Sequence, residues 1–175
     1  MSDRTLAEHF LKYSAMKLNE HFGQISRCAA MLSADQVWYR PNESSNSVGN
    51  LLLHLRGNIR QWIVAGIGGA PIERDRQAEF DRREPIGTEK LVDDLRAAVD
   101  ESIAVLERSG PETLLAIFAI QEYKISGIGA VLHVVEHFAF HTGQIITTTK
   151  WLLDCDLSLY DERGHRRDGR DAGVP

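Results

Sequence analysis

The stretch HVVEHFAFHTGQI, residues 133–145, spaces His133, His137 and His141 four residues apart, so three of the chain's seven histidines climb one predicted helix. A four-residue step overshoots one helical turn by only about 40° and rises about 6 Å, so two neighbours in this ladder can chelate one ion. His133 and His141 stand about 12 Å apart along the axis, too far to share it. One adjacent pair is therefore the chelating unit, and spacing alone does not say which. A further ligand must come from another helix. In NLLLHLRGNIRQW, His54 lies mid-helix among Leu51, Leu55, Ile59 and Trp62, on a face that can turn inward. Three neutral imidazoles leave a coordination position open, the pattern of catalytic zinc sites; closed structural sites fill all four positions with protein ligands. The plainer reading of the same residues is capping, packing or hydrogen bonding, the common condition of a lone helical histidine.

Neighbouring residues are read beside these. Asn50 and Asn58 flank His54 at four-residue spacing and can hydrogen-bond a ligand or line its pocket, as can Gln144; ordinary packing contacts between helices account for them equally well. Glu136 precedes a ladder member by one residue and so points about 100° away from it, toward solvent. No general base is assigned. Trp62 and Trp151 are expected in the core, because a buried aromatic needs no functional reason.

Four helices must position these groups. Leu6, Phe10, Tyr13, Met16, Leu18, Phe22, Ile25, Cys28, Ala29 and Leu32 recur at three- and four-residue intervals and predict an amphipathic helix to about residue 32. Pro41 and a cluster of Asn and Ser then predict a loop ending in an N-cap at Ser45, Asn46 or Ser47. A second helix, 47–65, should end before Gly66, Gly68, Gly69 and Pro71. Gly49 and Gly57 inside it each cost about 1 kcal/mol relative to Ala in an exposed helix, which close packing would explain. Residues 70–87 carry many charges, two prolines and little periodicity, and read as a long connection across the end of the bundle. A third helix starts near Thr88 as N-cap and carries Leu91, Val92, Leu95, Ala98, Val99, Ile103 and Leu106 on one stripe. Residues 114–127 read as irregular or as a short strand, and the fourth helix runs from Ser126 or Gly127 through the ladder to about Leu153. The expected architecture is an all-α four-helix bundle occupying residues 1–160, with 161–175 a polar, mobile tail. Facing helices of such a bundle can build a metal site inside it.

The 175 residues suffice for one core, and 43% hydrophobic with 26% charged residues is ordinary for a globular protein. Twenty Lys and Arg against 25 Asp and Glu give a net charge of −5, which argues against nonspecific nucleic-acid binding. The first residues, MSDRTLAEHF, hold no apolar signal-type run, and no later run approaches the roughly 20 residues that span a bilayer, so no membrane association and a cytoplasmic location are expected. Cys28 and Cys155 share no CxxC spacing and read as small hydrophobes.

The pairing of SNSVGNLLLHLRGNIRQWI with HVVEHFAFHTGQI resembles the DinB-like superfamily, which includes YfiT-type proteins and bacterial thiol transferases. It is most similar to a subfamily with N-x-x-x-H-L-x-G-N and H-x-x-x-H-x-x-x-H-x-G-Q segments, over residues 8–153. The resemblance implies a DinB/YfiT-type bundle with a divalent ion held by His54, His137 and His141, and places His133 as second shell or pocket wall. Relatives often carry Arg where this chain has Thr142 and Asn where it has Glu136; the Arg difference bears on any substrate contact made there and not on the ligands. It implies further a metal, Zn, Ni, Mn or Fe, that activates a low-molecular-weight thiol for transfer to an electrophile on a small-molecule substrate. Metal-dependent hydrolysis shares the same ligands. A non-catalytic metal-binding or stress-related interaction protein is the competing class. The superfamily's habit of pairing, with Phe10, Tyr13, Phe22 and Leu32 on the first helix, implies a homodimer.

Overall fold

A computed structural model describes residues 3–163. The expected tail beyond Tyr160 falls almost entirely outside them. Four long helices form the body: α1, Asp3–Met31; α3, Val48–Ile59; α5, Thr88–Arg108; and α7, Gly127–Leu153. They pack in a ring, α1 on α7 and α5, and α3 on α5 and α7. Leu18, Ile25, Leu55, Ile59, Leu95, Val99, Val134, Phe138 and Ile145 fill the middle, each completely removed from solvent. The architecture is the expected four-helix bundle with a long connection between its second and third helices.

Each element follows from local chemistry. In α1 the inward stripe is Ala7, Leu11, Ser14, Leu18, Ile25, Cys28 and Ala29. Leu6 and Tyr13, expected on that stripe, are exposed, because the true spacing rotates them off it. Between α1 and α3 lies a single-turn helix α2, Ala34–Trp38, opened by a reciprocal capping box between Ser33 and Gln36. Of the three cap candidates for α3, Ser47 serves: its Oγ accepts from Asn50 N at 3.1 Å, and Asn50 Oδ1 accepts from Ser47 N at 3.2 Å. The α3 axis continues without a break into a π-helical segment, Arg60–Ile67. Its wider turns are visible in Gly68 N donating to Ile63 O, and Gly69 at φ +73° ends it. The predicted helix end, at residue 65, is therefore two residues early, and the wider winding is invisible to periodicity.

The connection is not featureless. Residues 76–81 form a short helix α4, Arg76–Asp81, whose N-cap Asp75 accepts from Ala78 N. Gly87, not Thr88, is the N-cap of α5, and Thr88 is its first helical residue. After α5 comes α6, Pro111–Leu115, with Pro at the helix start where a missing N–H does no harm. The ambiguous segment is an antiparallel hairpin, β1 Ile117–Ile120 with β2 Tyr123–Ser126, turned through Gln121 in the left-handed region at φ 55°. Ser126 then caps α7 through Gly129 N at 3.2 Å.

Trp62 is buried at 4% exposure, as expected. Trp151 is not a core residue: it is 62% exposed and packs its ring against Tyr39 at 5.8 Å, because it lies on the outward face of α7 while Thr149 beside it is buried. Cys28 is buried and Cys155 half-buried, and neither forms a disulfide. Among the described residues no helix is long and apolar enough to cross a membrane.

Candidate metal centre

The ring of helices sets α3 beside α7, and that adjacency brings His54 against the ladder. His54 Nε2 lies 2.8 Å from His137 Nε2, which lies 3.2 Å from His141 Nε2. His54 and His141 are buried, at 3% and 8% exposure, and His137 is half-buried between them. Among the described residues these three are the one group of histidine, cysteine or carboxylate side chains so arranged that it could hold a metal ion.

The back of the cluster decides what its front can do. His54 Nδ1 is 2.9 Å from Glu79 Oε2, and His141 Nδ1 is 2.7 Å from Gln144 Oε1. Both partners offer acceptor oxygens; with Nδ1 protonated in each ring, both Nε2 atoms present lone pairs. These lone pairs meet His137 Nε2, which carries at most one proton while neutral. Burial, reinforced by the positive charge that His141, His54, His133 and Arg74 can bring, lowers the His137 pKa to about 3. Burial likewise lowers His141, against the opposing hydrogen bond to Gln144. Three nitrogen donors with too few protons between them suit a cation. Metal–nitrogen bonds of about 2.0–2.1 Å bring ligand nitrogens to roughly 3 Å from one another, which the observed spacing matches, so the residues fit a divalent ion.

Glu79 comes from α4, within the connection that sequence periodicity could not interpret. Arg74 clamps its carboxylate, Nε to Oε1 at 2.7 Å and Nη2 to Oε2 at 2.8 Å, with side chains only 6% and 11% exposed. Burial alone would raise the Glu79 pKa; hydrogen bonds from Arg74 and His54, with their charge, override it and hold the carboxyl below its ordinary value. Phe80, next on α4, packs its ring 4.6 Å from that of His54. Neither Glu79, Arg74 nor Phe80 had a signal in the sequence beyond lying in a charged, aperiodic stretch.

The other expected site residues are dispersed. His133 stands outside the nitrogen cluster: its ring packs on Trp62 at 4.1 Å and stacks on His137 at 5.5 Å. Asn58 Nδ2 lies 3.4 Å from His133 Nε2, while its buried Oδ1 has no hydrogen-bond partner in the structure. Asn50 is directed to the backbone, donating from Nδ2 to the carbonyls of Glu79 and Arg82 at 2.9 and 3.2 Å, and thus fastens α4 to α3. Glu136 is exposed. Gly57 explains itself: a Cβ there would overlap the Glu79 carboxylate and meet Arg74 Nε at 2.7 Å. Gly49 likewise gives way to the Trp38 indole, 2.9 Å from where its Cβ would be. Beside Gln144, a cleft of about 670 Å³ is lined by Ser45, Leu51, Phe140, Thr147 and Thr148 among others.

Comparison with known proteins agrees with this architecture. The chain is similar in structure to a conserved protein from Enterococcus faecalis, with TM-score 0.69, 15% identity, and coverage of 82% of this chain and 97% of that one. A DinB-like protein from Bacillus subtilis, YjoA, matches with TM-score 0.65 and 19% identity over 86% of this chain and 99% of that one. A DinB-like protein from Bacillus cereus matches with TM-score 0.63 and 15% identity over 86% and 94%. These likenesses concern the fold. No curated protein matches the chain. Residues 5–160 match the family described as "Protein of unknown function (DUF1572)", so the chain belongs to that family, and its bundle is built as the DinB-like proteins build theirs.

Proposed function

We propose that the protein is a divalent-metal enzyme whose ion is held by His54, His137 and His141. The observation that carries this reading is the convergence of three Nε2 atoms at 2.8 and 3.2 Å, with two of the rings fixed from behind by acceptors. Imidazole suits Zn, Ni, Mn or Fe, and the donor set does not choose among them. A bound ion would lower the pKa of a thiol or water brought to its open position.

The residues present leave the nucleophile to come from outside. Neither cysteine joins the histidine cluster, and His54, His137 and His141 are occupied as donors to the ion. We read the reaction as transfer of a low-molecular-weight thiol to an electrophilic small molecule: the thiol gives its proton to solvent, its sulfur forms a bond to carbon, and the leaving group departs with the displaced electron pair. The reading rests on chemistry that a soluble thiol can supply, with no internal cysteine.

Substitution with Co²⁺ tests it. Titration with glutathione, bacillithiol or mycothiol is expected to produce sulfur-to-metal charge-transfer absorption, because thiolate is a good ligand whose pKa falls on coordination. The same thiol should then be consumed with a model electrophile faster than by His141→Ala. A spectrum that ignores every thiol but responds to small anions would replace transfer by metal-dependent hydrolysis. A spectrum indifferent to both would make the site closed and the protein a metal-binding module.

A further inference from the structure

The three imidazoles are not backed alike. Behind His141 Nδ1 stands a neutral amide oxygen on the same helix, one turn away. Behind His54 Nδ1 stands a carboxylate from α4, 25 residues later in the chain. That carboxylate is itself fixed on several sides. Arg74 grips both of its oxygens, and the third guanidinium nitrogen, Nη1, donates to Gln61 Oε1 at 2.6 Å. Gln61, in the first turn of the π-helical segment, also accepts from Gln121 Nε2 at 2.7 Å, which ties the clamp to the hairpin turn. Asn50 holds the Glu79 carbonyl, and the missing side chain at Gly57 makes room for the pair. So many restraints on one carboxylate exceed what holding a surface connection in place requires.

We propose that Glu79, clamped by Arg74, is a positioning residue that holds His54 in its Nδ1–H tautomer and so aims the Nε2 lone pair at His137 and His141. The opposite tautomer would set a nitrogen lone pair 2.9 Å from a carboxylate oxygen, lone pair against lone pair. Within hydrogen-bond distance of Nδ1 the remaining donor is Arg74 Nη2, at 3.3 Å; one of its two hydrogens goes to Glu79 Oε2 at 2.8 Å, and the carboxylate, at 2.9 Å, is the nearer partner of Nδ1. A carboxylate behind a histidine both selects the tautomer and raises the basicity of the far nitrogen. Of the two rings backed at Nδ1 by an oxygen, only His54 has a carboxylate there, and the 68–87 connection is thereby part of the site rather than a tether across the bundle. The consequence for metal affinity rests on the metal reading above; the tautomer does not.

The test therefore has two readouts. In metal-stripped, ¹⁵N-labelled protein, long-range imidazole correlations assigned by comparison with His54→Gln are expected to show His54 protonated at Nδ1. In Glu79→Ala the ring should move to a mixture of tautomers, and in Arg74→Met, which keeps the carboxylate but removes its clamp, it should move the same way by less. Zn²⁺ affinity, measured by competition with a chromophoric chelator, should fall about 10–100-fold in Glu79→Ala and recover in part in Glu79→Gln, which keeps an acceptor oxygen. An unchanged His54 tautomer in whichever of Glu79→Ala and Arg74→Met folds, judged by wild-type circular dichroism, would overturn the proposal. Wild-type protein that binds no Zn²⁺ would instead sink the metal reading, and the tautomer comparison would still decide the role of Glu79.

Discussion

The two halves of the histidine cluster are built in opposite ways. On α7, His137 and His141 sit one turn apart and Gln144 follows three residues later, so pair and support are all set by the repeat of a single helix. On α3, His54 contributes one nitrogen, and its support arrives from α4, from Arg74 in the loop before it, and through Gln61 from the hairpin. The α7 half is local and needs only the helix to form. The α3 half needs the whole 68–87 connection folded in place. Such a division predicts that damage to the connection reaches the site through His54 alone and leaves the α7 pair intact.

The largest expected effect tests the cluster as a whole. Purified protein should carry about one divalent ion per chain, and elemental analysis of His54→Ala, His137→Ala and His141→Ala should show it lost from each, since a removed ligand leaves two nitrogens where catalytic sites use three protein ligands. His133→Ala should retain it. Loss in His133→Ala with retention in His141→Ala would move the chelating pair one turn earlier and break the comparison, because Gln144 would then support nothing.

A smaller effect sharpens it. Gly57→Ala adds one methyl group where the Glu79 and Arg74 side chains meet, and they must shift off His54 to admit it. Zn²⁺ affinity is expected to drop by roughly tenfold, the lower end for loss of an outer-shell partner. Stability should change by less than about 1 kcal/mol, because the helix gains from Ala what the displaced pair loses. Chelator competition beside a denaturant melt reads both quantities. Wild-type affinity in Gly57→Ala would mean that the connection does not act on the site.

The smallest effect separates the halves by pH in the metal-free protein. Burial, with the neighbouring imidazoles and Arg74, lowers His137 from 6.5 to about 3, and burial also lowers His141 and His133. Between those values the unfolded chain binds more protons than the folded one. Stability is therefore complete above pH 6.5 and is lost as pH falls through the window toward 3. His21 on α1, lowered to about 4 chiefly by burial and then by Lys17, acts with the same sign outside the cluster. Thermal melts from pH 7 to 4.5 should show a falling Tm, and His137→Gln should flatten that slope more than His21→Gln. An equal slope in wild type and His137→Gln would dissociate the α7 pair from the acid sensitivity.

Sequence alone determined what rests on short-range periodicity. The stripe of α5, the second half of the stripe of α1 from Leu18 onward, and the four-residue spacing of His137 and His141 are consequences of a 3.6-residue turn acting on neighbours, and each could be read without knowing what lies opposite, while the start of α3 was narrowed to Ser45, Asn46 or Ser47 and that of α7 to Ser126 or Gly127. Even the inward face of His54 followed from its apolar neighbours. Tertiary structure alone decided what faces that nitrogen. Glu79 and Arg74 lie in a stretch whose charges look solvated, and only the docking of α4 on α3 buries them and turns a charged loop into a ligand support. The same holds for Trp151, whose apolar ring lies on the outward face of α7 while Thr149 beside it is buried, and for the π-helical winding after Ile59, which periodicity does not encode. The physical reason is one: periodicity reports which face of an element is apolar, whereas a polar group's role depends on the partner that desolvates it, and that partner is chosen by packing between segments distant in sequence.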